Sequence, residues 1–452
     1  MLLSFSITNF RSIKETVMLS LTAGRERKKS ERLAPVKALR KRALPISMIQ
    51  GKNGAGKSNI IKGLQTAQRV ISRTRQPNEK LDVIPFRLCN KCLEQPTEFS
   101  FDFSLGGLVY RYRLSLTRDA IQAEKLELFK FNSGIILFER SGQNIIASGL
   151  TEDDNEKNDL RIIAQGTRAN QVFLNALAAQ AENVDKYTWA KTVLQIFGWF
   201  TNGINILSPD MNLTLGDTEQ IRFLTKALPL FDTGVNSVQL VELAKDSLNI
   251  PSGLIENILN ILSEGSVFPI MHKDQGPVFI RKIEGEARFF VVNTTHRNDT
   301  GEDVHFHMSD ESDGTFRLMS LLTFLGALGD GYGDRVLVID EIERSLHSTL
   351  TRKIIKDFLA WVEKTHAGQI IFTSHDPSLM NEDLGLRRDE MWLVDKGERG
   401  ETHLYSLASK NVQRSGESGL RTGMNLVDEY LSGSLGGIAK TQEINFLMDR
   451  FI

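Results

Sequence analysis

Eight residues near the start of the chain have the types and spacing to hold a row of phosphates. Gly51-Lys52-Asn53-Gly54-Ala55-Gly56-Lys57-Ser58 fits the pattern G-x-x-x-x-G-K-[ST]. Its glycines let the backbone wrap so that N–H groups face phosphate oxygens, while Lys57 neutralises the β and γ oxygens and Ser58 offers Mg²⁺ a hydroxyl. Asn53, Gly54, Ala55, Gly56, Lys57, Ser58 and Asn59 are the candidate nucleotide contacts, with Lys57 expected to face solvent. Much later, "VLVIDE" runs four apolar residues into two carboxylates. Asp340 would hold an Mg²⁺-bound water, and Glu341 would orient and deprotonate the attacking water. "IIFTSHD" then places His375 just past a third apolar run, where it could hydrogen-bond a γ-phosphate. Each piece alone has a plainer reading: a Gly-rich turn, a buried strand ending in acids, a surface histidine. Together they describe ATP hydrolysis with ATP and Mg²⁺ as cofactors.

The elements that must position these residues can be read from periodicity. "ISMIQ" is a short buried strand feeding the loop, and Ile60, Leu64, Ala67 and Ile71 share one face of the helix that follows. "LLSFSITNF" alternates as a half-buried strand, and residues 97–140 alternate as an antiparallel β-meander with a Gly106-Gly107 turn. "TEDDNEKND" reads as an acidic break. From about 170 to 265 the pattern is helical, and strand-like pieces return with "PVFIRKI", "ARFFVVNTT" and "DVHFHMSD". The last third alternates helix, strand, helix, strand, which argues for a mostly parallel α/β sheet. The expected division is 1–171 for the first half of the nucleotide-binding head and its meander lobe, 172–265 for a helical insertion, and 266–452 for the second half.

Bulk composition is that of a globular chain of 452 residues, 41% hydrophobic and 25% charged. A net charge of −1 excludes a polyanion binder that works through overall charge, so any nucleic-acid contact needs a local patch. The segment from Arg25 to Arg42 is the basic candidate, for nucleic acid, for an acidic partner, or as a solvated loop. Cys89 and Cys92 are the only cysteines, which excludes a disulfide framework. Their Cys-x-x-Cys spacing suits zinc, but a tetrahedral site needs four ligands, and two reduced thiols is the plainer reading. No membrane-spanning run or signal peptide is legible, so the cytoplasm is the expected compartment.

One stretch fits no ordinary mononucleotide site. "DESDGTFRL" places Ser312 and Gly314 at the start of an apolar helix shortly before the acidic strand. A Gly-bearing helix start is an anion-binding terminus, and Ser312 is equally an N-cap. If the loop lies away from Lys57 along the sheet, it could serve the nucleotide of a second copy. The order of phosphate loop, long insertion, Ser-x-Gly loop, acidic strand and histidine resembles the ABC-type ATPase heads. That resemblance implies an α/β head, an ATP-sandwich homodimer and possible higher oligomers, with Ser312 and Gly314 closing on the partner's γ-phosphate.

Further residues extend the resemblance. "ITNFRS" is similar to the opening strand of SMC, RecF and double-strand-break-repair ATPases, which implies a nucleotide contact for Arg11. "SLHS", Ser345 to Ser348, sits where those proteins carry a loop after the acidic strand. The Mg²⁺-ligating glutamine implied by the family is Gln165 or Gln171, with Gln171 preferred. "NLVDEYLSGSLGGIAK" resembles the tail of the abortive-infection ATPases and of the PARIS-type anti-phage ATPase. The signature departs from the transporters' Leu-Ser-Gly-Gly-Gln, and no long coiled coil interrupts the chain. With about 75 residues after His375, the nuclease domain that related overcoming-lysogenisation-defect enzymes carry there is not expected. The resemblance thus implies a separately encoded effector, a nuclease or toxin, with a phage-derived trigger. The competing readings are a DNA-repair or chromosome-associated ATPase, and a scaffold that binds ATP without hydrolysing it.

Overall fold

The computed structural model describes residues 1–130, 133–181, 186–209, 218–273, 275–329, 334–409 and 425–437. In chain order the elements begin with β1 (Leu2–Thr8), β2 (Val17–Ser20), β3 (Ala34–Val36), β4 (Lys41–Ala43), β5 (Ile46–Gln50), α1 (Lys57–Ser72) and α2 (Asn90–Glu94). The meander follows as β6 (Thr97–Leu105), β7 (Leu108–Leu116), β8 (Ile121–Lys130), β9 (Ser133–Ser141) and β10 (Asn144–Ile146). Next come α3 (Asp154–Gly166), α4 (Phe173–Gln180), α5 (Ala190–Gly198), β11 (Ile204–Leu207), α6 (Thr218–Ala227), β12 (Ser237–Leu243) and α7 (Ser252–Ile261). Then β13 (Val267–His272), β14 (Gly276–Ile283), β15 (Glu286–Arg297) and β16 (Asp303–His307) lead to α8 (Asp313–Leu328). The chain ends its described part with β17 (Val336–Ile339), α9 (Ser348–Thr365), β18 (Gln369–Ser374), β19 (Met391–Lys396), β20 (Thr402–Ser406) and α10 (Leu426–Leu431).

Two compact units result. One comprises Met1–Ile206, Tyr332–Ile342 and Arg352–Ile452; the other comprises Leu207–Gly331 and Glu343–Thr351. The first holds two large sheets and the small β3-β4 pair. An antiparallel seven-stranded sheet has the order β10-β9-β8-β7-β6-β1-β2, so the meander continues into the opening strand. A six-stranded sheet has the order β11-β17-β18-β5-β19-β20, with β17, β18, β5 and β19 parallel. The all-buried patterns of β5, β17 and β18 are those of central parallel strands covered on both faces. The alternating burial along β6 and β7 marks a sheet with one face on the core. α1 buries Ile60, Ile61, Leu64, Ala67, Val70 and Ile71 in that core.

The second unit is built on an antiparallel sheet of β12, β15, β14 and β13, with β16 paired to β15. Its apolar cluster packs Ile255 and Ile258 of α7 with Val278, Ile280, Phe289 and Val291 of the sheet.

The class is the α/β fold expected, with the meander lobe in place. Two local expectations differ. The segment expected to be helical also holds the strands β11 and β12. Val238, Leu240 and Val241 of β12 fit a helical period as readily as a strand, and only pairing to β15 over seven positions decides between them. "TEDDNEKND" is mostly helix rather than a break. Asp153 caps α3 by accepting from the N–H groups of Asn155 and Glu156 at 2.8 and 3.0 Å.

Candidate nucleotide site

Register brings the chemistry to one edge of the parallel sheet. Across β5 and β18, Gln50 stands opposite Ser374 and Ile49 opposite Thr373, while Ile339 of β17 pairs with Phe372. Gly51, Asp340 and His375 each follow directly, so all three leave from the carboxyl ends of neighbouring strands, where parallel α/β sheets bind ligands.

The loop from Gly51 to Gly56 is held by contacts from remote parts of the chain. The Lys52 N–H donates to the Gly437 carbonyl at 2.8 Å, and Thr402 Oγ1 donates to the Ala55 carbonyl at 3.0 Å. Ser12 Oγ lies 2.7 Å from Thr402 Oγ1 and accepts from Asn59 Nδ2 at 2.7 Å. Gly56 has φ +113° and faces Thr402 so closely that a side chain would collide with it. A Cβ at Gly51 would lie 2.6 Å from the Val394 carbonyl. No side chain caps α1, because its N-cap is Gly56. Lys57 does not face solvent as expected. It is buried, with Nζ donating to the carbonyls of Gly51 at 2.6 Å and Lys52 at 3.2 Å. The ammonium folds back onto the loop's own carbonyls.

Opposite the loop is a hydrogen-bonded array of oxygens. Ser58 Oγ donates to Asp340 Oδ1 at 3.2 Å, and Thr373 Oγ1 donates to the same oxygen at 2.6 Å. The Glu341 N–H donates to Thr373 Oγ1 at 2.8 Å, so one buried hydroxyl fixes both members of the acidic pair. Glu341 has φ +54°, a left-handed conformation that a non-glycine residue adopts at a cost of about 1–3 kcal/mol and that clusters at working sites. Hard oxygen donors on Ser58 and Asp340, beside a glycine-lined backbone loop, fit Mg²⁺ and a phosphate chain. His375 is exposed just beyond β18.

In the second unit, Ser312 is the N-cap of α8, accepting from the Thr315 N–H at 3.1 Å. A Cβ on Gly314 would lie 2.8 Å from the Ser345 carbonyl, and Ser345 itself has φ +60°. Glu311, directly before the cap, bonds Thr294 and lies 2.7 Å from His296 Nε2, tying the turn to β15.

One expected contact is not assembled here. Gln171 donates through Nε2 to Asn175 Oδ1 at 3.1 Å, and Asn175 donates to the Ser72 carbonyl at 3.2 Å. Ser72 ends α1, about 21 Å along the helix from Ser58. Gln171 therefore cannot ligate the same ion as Ser58, and the packing of α4 against the far end of α1 is the reason. Gln165 is exposed near the end of α3. Arg11 donates its N–H to the Ile84 carbonyl at 2.8 Å, and its guanidinium lies over the Phe10 ring. Burial, then the charges of Arg69 and Arg87, lower its pKa. Ser12 is the residue of this turn that touches the loop. Ser12, Thr373, Thr402 and Gly437 were not legible as site residues, because nothing local distinguishes them from other small residues. Cys89 and Cys92 are free thiols.

Residues 46–381 match the family model described as "AAA domain, putative AbiEii toxin, Type IV TA system". The chain belongs to this family. The matched span starts at the first residue of β5 and takes in the phosphate loop, the Ser312 turn, the acidic strand and His375. Membership makes it an ATP-binding protein of an ATPase family. No curated protein matches the chain. Among solved structures, the SMC head domain from Thermotoga maritima is similar at 16% identity and a TM-score of 0.33, covering 90% of this chain and 98% of that one. Among the described residues no helix is long and apolar enough to cross a membrane.

Proposed function

We propose that this AAA-family chain hydrolyses ATP in composite sites formed by two copies, as an ABC-type head does. In each site Lys57, Ser58, Asp340, Glu341 and His375 come from one copy, and Ser312 and Gly314 from the other. The observation that carries the reading is the Ser58–Asp340–Thr373–Glu341 array at the mouth of the phosphate loop. Asp340 and Ser58 would hold Mg²⁺ through their oxygens, and the ion would supply positive charge to the phosphates. Lys57 would leave the Gly51 carbonyl for the phosphates. Glu341, its backbone held by Thr373, accepts the proton of the attacking water, and His375 donates to the γ-phosphate.

The direct test is Glu341→Gln, which keeps the shape of the side chain and removes the base. Turnover should fall on the order of 10² to 10⁴-fold with ATP affinity retained. Wild-type turnover in this variant would remove Glu341 as the base.

The physiological setting we propose is anti-phage defence, with ATP-dependent closure controlling a separately encoded nuclease or toxin after a phage-derived trigger. Support comes from the family's description as a putative toxin of a Type IV TA system and from the tail's resemblance to that of the abortive-infection ATPases. The described part of that tail, Asn425 to Gly437, reaches the phosphate loop through the Gly437–Lys52 bond. Affinity purification from a host carrying the neighbouring genes, with and without ATP, tests the partner. Nucleotide-dependent recovery of a nuclease or toxin supports the reading, and recovery of the chain alone counts against it.

A further inference from the structure

The nucleotide site leaves the basic segment from Arg25 to Arg42 unused. Nine Lys/Arg stand there against two Glu. The segment folds into β3, β4 and two short helical turns, and it is fastened from beneath by buried charge. Arg32 pairs with Glu390, both buried. Arg387, also buried, pairs with Asp389 at 2.7 Å and donates to the carbonyls of Glu26 and Lys28. The Gly24 N–H reaches Asp389 at 2.8 Å, and the Arg388 N–H reaches the Glu26 carboxylate at 2.8 Å. This underside neutralises Arg32 and satisfies Glu26, one of the segment's two acids. The other eight cations are exposed, with Glu31 the single exposed acid among them.

Five of those cations, Arg25, Arg27, Arg40, Lys41 and Arg42, line one open cleft of about 490 Å³, whose one acid is Glu26, engaged by the Arg388 N–H. Such a concentration of like charge costs self-repulsion unless it meets an anion. The character of the anion follows from what the cleft lacks. No large hydrophobic side chain is exposed between Met18 and Leu88, so there is no apolar centre of the kind protein interfaces are built around. No aromatic residue occurs from Arg11 to Pro85, so there is nothing on which unpaired bases could stack. Cations on a floor fastened by buried ion pairs, with no exposed large apolar side chain and no aromatic one, suit a ligand that presents only a regular row of phosphates.

We propose that the Arg25–Arg42 cleft binds the phosphodiester backbone of double-stranded nucleic acid, without reading its sequence. The site is independent of ATP hydrolysis, and none of its five cations belongs to the nucleotide machinery.

The test uses the full chain and a fluorescent DNA duplex about three helical turns long. Anisotropy should report binding whose log affinity falls against log salt with a slope of about −3 to −5, for three to five neutralised phosphates. Arg25→Gln, Arg27→Gln and Lys41→Gln combined should flatten that slope by about 3, weaken low-salt binding at least about tenfold, and leave melting temperature and ATP affinity unchanged. Unrelated duplex sequences should bind alike. Undiminished duplex binding in the triple variant overturns the proposal. So does a wild-type chain that prefers a single strand, that captures polyglutamate and not duplex, or that binds no polyanion. Failure of ATP hydrolysis with duplex binding intact would leave this site standing and remove the catalytic reading alone.

Discussion

Two glycine-bearing turns open helices in this chain, and they are built in opposite ways. At α1 the N-cap is Gly56, no side chain caps the helix, and the loop is held from outside by Ser12, Thr402 and Gly437. At α8 the N-cap is Ser312, whose hydroxyl already accepts from the Thr315 N–H. The first arrangement offers a helix terminus and its loop to an anion. The second satisfies itself, with Gly314 set against the Ser345 carbonyl for a reason internal to one protomer. The difference teaches that glycine marks a close approach in both places without saying to what. For the Ser312 turn to serve a partner's phosphate, its role must be added to a structural one that is already filled.

That overlap decides which substitutions are informative. A side chain on Gly314 would meet Ser345 in any case, so loss of activity there would have two explanations. Ser312→Asp separates them, because Asp caps a helix about as well as Ser but brings a charge that repels phosphate. Turnover should drop about 10²-fold, as when a transition-state donor is lost, with melting temperature and ATP affinity unchanged. Ser312→Asn, capped and uncharged, should retain most activity. Equal turnover in the Asp and Asn variants would make the turn purely structural.

On the other side of the comparison, Lys57→Ala removes the cation of the externally held loop. ATP affinity measured by calorimetry should weaken about 10- to 100-fold, the worth of hydrogen bonds to a charged group. A loss of about 1–2 kcal/mol in stability should accompany it, since the Gly51 carbonyl loses its buried donor. An unchanged affinity would detach Lys57 from the nucleotide. A smaller effect is expected from Thr373→Val, which keeps shape but cuts both hydrogen bonds to the acidic pair. Turnover should fall about tenfold, from misplacement of the base and metal ligand. Unaltered turnover would mean that Asp340 and Glu341 are positioned without it.

The legible part of this molecule is the part carried by local pattern. The run from β5 through Gly51 and Lys57 into α1 is contiguous, and so are the apolar strands that end at Asp340 and His375. Their side-chain periods alone state what each element is and where it stops. The residues that hold the loop come from the turn after β1, from β20 and from beyond α10, and only the fold brings them together. Ser12 and Thr402 carry no local mark of that role. Gln171 failed for the same reason: choosing between two glutamines requires knowing at which end of α1 helix α4 packs. β12 was missed because Val238, Leu240 and Val241 fit two periods, and pairing with β15 chose one.

The central claim is that each site draws on two copies of the chain, and mixing tests it most directly. Ser312→Asp subunits keep the phosphate loop, and Lys57→Ala subunits keep the signature turn. A mixed dimer therefore contains one site in which both are intact. Equal mixing of the two impaired proteins, at an ATP concentration too low to fill the Lys57→Ala loop, should restore about a quarter of wild-type ATP turnover, from half the dimers carrying one good site of two. Turnover no greater than the average of the two variants measured alone would contradict the composite site.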